Sequence, residues 1–266
     1  MGAGPANAVP APASARAVLE SRLVPHSAVG VDPASGQVVL TIADAATGTD
    51  GLVSAARRYG SGVRIERVPG RFGTMEGHFR GGNGIFDPNL GTCTLGFNVT
   101  GGFAVTAGHC AGPGTYWYKE NNGLPIGPAV GSSFPGDDFG LIRNDGEMRQ
   151  RGDVQAYDAG IQDITGAATP SAGQSVCKSG RTTQRTCGTV LRTDVTVNYP
   201  QGAVFGLVET NLCAAPGDSG GPLYAGSTAL GLTSGGTLGL PCSNSGFRSF
   251  YQPVAEALNV FGVSVF

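Results

Sequence analysis

All six cysteines of this 266-residue chain, Cys93, Cys110, Cys177, Cys187, Cys213 and Cys242, fall after residue 78. The aromatic residues divide the same way, with only Tyr59 and Phe72 in residues 1–78. A chain split like this reads as two units made for different tasks, residues 1–78 and residues 79–266. Evenly numbered cysteines suggest disulfides and an oxidising compartment. The alternative, a zinc site, finds no Cys-x-x-Cys pair and no neighbouring cysteine–histidine ligand set, so no metal is expected. Spacing alone does not choose among the pairings that six cysteines allow.

The second unit reads as short strands and turns. Glycine supplies 45 of the 266 residues and charged residues only 14%, a composition suited to an all-β protein rich in turns. Strands are expected over 92–98, 103–106, 139–143, 189–197, 203–210, 222–224, 229–233 and 249–252, with a short helix over 254–259. Such spacing suggests a barrel or a sandwich. Residues 1–15 form an Ala/Pro/Gly/Ser lead-in, followed by a helix over 17–23. Strands over 28–32 and 37–42 flank a turn at 33–36. A helix over 51–59 places Leu52, Ala55, Ala56 and Tyr59 on one face, and a half-buried strand covers 63–68. The first unit is therefore a β-β-α-β module.

A net charge of −2 calls for neither nucleic acid nor an anionic membrane as partner, and no apolar run reaches the roughly 18–20 residues of a membrane span. Residues 1–5 lack the apolar core of a signal peptide, so Met1 reads as an expression start with any export signal already removed.

The chemistry gathers around Gly217-Asp218-Ser219-Gly220-Gly221-Pro222. Glycines beside a serine let the backbone turn tightly and aim amide N–H groups at one point, so the amides of Gly217 and Ser219 can face an oxyanion formed by attack of Ser219. The plainer reading is a turn between strands. An attacking alcohol needs a base, and the chain has three histidines, His26, His78 and His109. His109 alone ends an apolar run, Phe103-Ala104-Val105-Thr106-Ala107-Gly108, where Ala107 and Gly108 leave room for substrate and for Ser219. The base needs a carboxylate to fix its tautomer. Asp138 directly precedes the apolar run 139–142 and can be drawn inside, whereas Asp137 suits the turn. The order histidine, aspartate, serine is that of the chymotrypsin template. Residues 217–221 also fit the Gly-x-Ser-x-Gly elbow of α/β-hydrolases, but Pro222 and the triad order speak against it.

At this point the chain resembles the chymotrypsin family, and within it the bacterial streptogrisin and α-lytic protease branch. The resemblance is carried by Cys93-Thr94-Leu95-Gly96-Phe97-Asn98-Val99, Thr106-Ala107-Gly108-His109-Cys110, Cys177-Lys178-Ser179-Gly180-Arg181-Thr182-Thr183, residues 213–222, Gly231-Leu232-Thr233-Ser234-Gly235-Gly236 and Gln252-Pro253-Val254. It runs from about residue 79 to the end. It implies two six-stranded antiparallel β-barrels preceded by a small α+β propeptide, with His109 and Asp138 from the first barrel, Ser219 from the second and the crossover near 160–173. It implies the disulfides Cys93–Cys110, Cys177–Cys187 and Cys213–Cys242, and a Ser234 hydroxyl bonded to Asp138. Where the branch usually carries an arginine as the internal cation facing the acid before the serine, this chain has Lys178, so a Lys178–Asp218 pair is expected to shape the oxyanion loop.

The resemblance also places the specificity pocket at Ala214, Ala215, Pro216, Ser234, Gly235, Gly236 and residues 249–251, including Ser249. Glutamate-specific members carry histidines at the positions of Thr233 and Tyr251, which this chain lacks. Uncharged glycine-lined walls favour cleavage after Phe, Tyr, Leu or Met, unless Arg248 reaches the pocket and favours acidic residues. The expected protein is a secreted, monomeric serine endopeptidase without cofactor, acting on polypeptides and inhibited by its own propeptide. Its rivals are a catalytically silent binder of the same fold and an acid-specific protease. Phe79-Arg80-Gly81-Gly82 resembles a mature start, which puts self-cleavage between His78 and Phe79, with residues 69–77 as the linker presented to the cleft and Met75 or Phe79 as neighbouring cut sites.

Overall fold

The computed structural model describes residues 12–70, 72, 78–121, 123–146 and 148–266. Residues 1–11 of the lead-in, Met75 and most of the expected linker lie outside the described residues. The chain divides into two compact units, residues 1–75 and 76–266.

The first unit is the expected module with a helix ahead of it. Helix α1 (Pro12–Glu20) starts and ends earlier than the sequence suggests. The turn at Ser21 and Arg22 and then Pro25 stop it, and Ala15 and Leu19, four residues apart, are its buried face. Strands β1 (Ser27–Val31) and β2 (Val38–Ala43) pair antiparallel across a turn in which Gly36 takes a φ of 68°. From β2 the chain crosses through α2 (Asp50–Arg57) to β3 (Val63–Val68), which lies parallel to β2. A parallel return needs such a crossover. Leu52, Ala55 and Ala56 of α2 pack with Val38, Leu40 and Ile42 of β2 in a core of this unit's own.

The second unit is built from two barrel-like sheets. The first runs, strand beside strand, Gly91–Thr94, Gly84–Asp87, Tyr116–Lys119, Pro125–Ser133, Phe139–Arg143, Phe103–Thr106, Phe97–Val99, and every pairing is antiparallel. Its two edge strands are separated in sequence only by Leu95 and Gly96, so the sheet curls back on itself around Ile85, Leu95, Trp117, Ile126 and Ile142. In the second sheet, Thr228–Gly236, Pro222–Ala225, Ser175–Gly180, Gln184–Tyr199, Gly202–Thr210 and Ser249–Pro253 form a closed antiparallel ring of six, because the last strand pairs again with the first. Its interior holds Val176, Val190, Val208, Leu223, Leu230 and Tyr251.

The short segments Gly166–Ala167 and His78–Gly81 add parallel pairings to this plan, the latter in a small sheet with Arg149–Gln155 and Ile161–Asp163. The passage between barrels runs through 160–173, bounded by Gly160 and Gly173 with φ of 78° and 83°. The terminal helix Val254–Phe261 buries Val254, Ala257 and Leu258 against Phe139 and Leu232 and ends on left-handed Gly262. The three disulfides Cys93–Cys110, Cys177–Cys187 and Cys213–Cys242 are formed.

Candidate active site

His109 sits on the single 3-10 turn Gly108–Cys110 that ends the strand Phe103–Thr106. Gly108 is required there by the neighbouring chain rather than by substrate: a Cβ would meet the Ser133 carbonyl at 2.2 Å and the Phe139 amide at 3.0 Å. That close approach brings Asp138 to His109. Asp138 is fully buried, and the Asp137 carboxylate stays on the turn, accepting from the Ser133 hydroxyl at 2.9 Å.

The Asp138 carboxylate is held on every side. Its oxygens lie 3.0 and 2.9 Å from Nδ1 of His109, and Oδ1 also accepts from the His109 amide at 3.0 Å. Oδ2 accepts from the Ser234 hydroxyl at 2.6 Å, and the Asp138 amide donates to Gln252 Oε1 at 2.8 Å. Tyr199 extends the chain with its hydroxyl 3.1 Å from Ser234 Oγ. Burial, helped by the Asp138 charge, pushes the Tyr199 hydroxyl up to about 12, so it stays protonated as a donor. This geometry fixes the proton of His109 on Nδ1 and leaves Nε2 as the basic nitrogen.

Ser219 lies in the same cleft as His109. Its loop is tied across the barrels by Thr94, whose amide donates to the Ser219 carbonyl at 2.8 Å and whose hydroxyl donates to the Gly217 carbonyl at 2.7 Å. The amides of Asp218, Gly220 and Gly221 donate to the carbonyls of Ala215, Thr233 and Asp218. For those of Gly217 and Ser219 no protein acceptor is found among the described residues. Gly220 has a φ of 82°, and a Cβ there would meet Thr106 Oγ1 at 2.0 Å, so only glycine lets the two barrels close on this loop.

Asp218 turns away from the cleft into a fully buried pair with Lys178, Nζ to Oδ2 2.8 Å. The amides of Thr182, Thr183 and Ala215 and the Thr183 hydroxyl complete its shell at 2.6–3.1 Å. Burial alone would raise this carboxyl, but the Lys178 ammonium and these bonds outweigh it and hold Asp218 below the usual carboxylate range. Burial pushes Lys178 down, against the pull of Asp218. The ammonium also donates to Thr183 Oγ1 and to the Gln184 carbonyl.

The cleft encloses about 320 Å³ and is walled by Ala214, Ala215, Pro216, Ser234, Gly235 and Gly236, with Thr233, Tyr199, Phe134 and Leu238. Ser249 corrects the sequence-based pocket. It does not line this cleft but is fully buried in the second barrel, its hydroxyl engaged with Thr210 Oγ1 at 2.8 Å and the Leu212 carbonyl at 2.8 Å. Tyr251 is buried beside it. Strand alternation explains the difference: Ser249 and Tyr251 share the inward face. Arg248 does not line the cleft either. Its guanidinium is held by the buried carboxylate of Glu209 at 3.2 Å, which also grips Arg192 at 2.6 Å.

Thr94, Thr106 and Gln252, quoted in the stretches that carry the resemblance but given no role there, and Tyr199, which the sequence did not single out, support the site. Thr94 had a signal: it follows Cys93, whose bridge to Cys110 ties its strand to the turn that carries His109. His78 and Phe79 lie in the paired strand His78–Gly81, where the His78 carbonyl accepts from Lys119 Nζ at 2.6 Å and Phe79 is fully buried.

Two β-barrels with a histidine, a buried aspartate and a serine at one cleft define the class of chymotrypsin-like serine endopeptidases. The family model described as Trypsin matches residues 83–261, more than half of the chain, and the chain belongs to that family. Streptogrisin-D of Streptomyces griseus is 40% identical over 259 residues, which cover 95% of this chain and 64% of that protein. Two solved structures are also similar. A serine protease described as glutamic-acid-specific, with a histidine triad in substrate binding, is 41% identical with a TM-score of 0.66, covering 71% of this chain and all of its own. Cellulomonas bogoriensis chymotrypsin is 37% identical with a TM-score of 0.63, covering 70% of this chain and 97% of its own.

Proposed function

We propose that this chain is a secreted serine endopeptidase made as a proenzyme, hydrolysing peptide bonds after large apolar residues. The observation that carries the reading is the hydrogen-bonded series Tyr199, Ser234, Asp138, His109 ending at the cleft that holds Ser219. Ser219 Oγ attacks the peptide carbonyl while His109 takes its proton. His109 then gives the proton to the leaving amine, and water repeats the cycle on the acyl-enzyme. The free amides of Gly217 and Ser219 receive the oxyanion, each donor supplying about 10²–10³ in turnover.

The apolar preference rests on the cleft walls. Ala214, Pro216, Gly235 and Gly236 present no charge, and burying a Phe or Leu side chain there contributes about 1.5–3 kcal/mol. The competing reading is preference for acidic residues, raised by the glutamic-acid-specific relative that uses a histidine triad. Against it, His109 is the one histidine of this cleft among the described residues, and Arg248 is bound to Glu209. A peptide-library digest tests the choice: Phe, Tyr, Leu or Met before the cut supports the proposal, and a profile dominated by Asp or Glu overturns it.

Residues 1–78 are assigned as a propeptide that assists folding and inhibits, on the basis of their separate core and the resemblance to the streptogrisin branch. Three disulfides suit an extracellular protein. In the folded chain the His78–Phe79 bond is part of a strand paired with Arg149–Gln155, so a cut there precedes docking of that strand onto its partner.

A further inference from the structure

Two peptide units decide whether the Gly217 and Ser219 amides face the cleft. A trans peptide is planar, and its C=O and N–H point in opposite directions. Whatever holds the Asp218 carbonyl therefore aims the Ser219 N–H, and whatever holds the Pro216 carbonyl aims the Gly217 N–H. The first is held within the loop, by the Gly221 amide at 2.9 Å. The second is held from outside it, by the Thr182 hydroxyl at 2.8 Å, 34 residues away in sequence. Gly217 has a φ of 97° and no side chain of its own to resist rotation.

Thr182 is itself fixed. Its amide donates to Asp218 Oδ1 at 2.8 Å, and Arg181 Nη1 lies 3.4 Å from its hydroxyl. Arg181 is gripped by Glu120 of the first barrel, Nε to Oε2 2.6 Å, with a second bond from Nη2 to Oε1. A Cβ built on Gly217 would meet Thr182 Oγ1 at 2.6 Å and Arg181 Nη1 at 3.1 Å, so these two side chains occupy the space into which the glycine would turn.

We propose that Thr182 is a positioning residue for the oxyanion site: its hydroxyl, by binding the Pro216 carbonyl, keeps the Gly217 N–H pointed at the carbonyl oxygen under attack. The proposal rests on the reading of Gly217 and Ser219 as oxyanion donors. Without the hydroxyl the Pro216 carbonyl loses the bond that holds it, and the Gly217 N–H is aimed at the oxyanion site only part of the time.

The test compares wild type, Thr182→Val and Thr182→Ser, each expressed as the full chain and its active sites counted with a fluorophosphonate. Thr182→Val should lower kcat about tenfold, a fraction of the loss seen when a donor is removed outright, with KM within about twofold. Its affinity for a peptide aldehyde, whose adduct carries the oxyanion, should fall by the same factor. Thr182→Ser should restore both. A kcat for Thr182→Val equal to wild type, a loss carried by KM alone, or a loss that serine fails to restore would overturn the proposal. If wild type neither cleaves nor takes the label, the reading of the active site itself fails, a result distinct from those three.

Discussion

Lys178 shows how far residue chemistry reaches. Its position before Ser179-Gly180 marked it as the internal cation for Asp218, and the two groups meet fully buried at 2.8 Å. Removing one partner of a buried pair leaves the other uncompensated, so Lys178→Met should cost about 3–5 kcal/mol and lower turnover, read by urea unfolding and by kcat. Asp218 is held below its ordinary pKa of 3.8, so its contribution is fully present above that value and is lost as pH falls through the lower, folded value. The stability gap between wild type and Lys178→Met should therefore narrow as pH falls below about 4, and a gap that stays constant into strong acid would contradict the assignment. Ser234→Ala removes a charge-assisted bond to Asp138 and should lower kcat on the order of tenfold, read by steady-state kinetics.

Among the elements, the strands flanking the motifs were legible because each carries a run of apolar or alternating residues; Phe103–Thr106 and Phe139–Arg143 match the expected bounds. The strands Pro125–Ser133, Arg149–Gln155 and Ser175–Gly180 were not, since glycine, proline and charge dilute their pattern and their pairing partners hold them in register. The resemblance placed Ser249 in the pocket, but its inward orientation is set by pairing with Thr210 and Gly236. Arg248 likewise belongs to its strand pair: Glu209 holds it at the base of the loop that carries Cys242. Arg248→Ala should leave the profile of a peptide-library digest apolar. A change in acidic-residue cleavage in that variant would show that Arg248 reads the substrate.

At the scale of the molecule, the structure forms two compact units, divided between residues 75 and 76, with separate cores. The triad order, the glycine loop and the cysteines made the second unit readable, because each feature demands a specific neighbour. The first unit offered only periodicity, which gives elements but no chemistry. If residues 1–78 are a propeptide removed by this enzyme, Ser219→Ala should remain at full length while wild type yields a fragment beginning at or near Phe79, by intact mass. Maturation of the alanine variant in the absence of other proteases would contradict self-processing.

The claim at the centre, that Ser219 is a nucleophile driven by His109, is tested most directly by fluorophosphonate labelling followed by peptide mass mapping. Wild type should take one adduct, on Ser219, and His109→Ala should lose labelling together with about 10⁶ in turnover, the loss expected when a triad loses its base. No adduct, an adduct on another residue, or equal labelling of His109→Ala would contradict it.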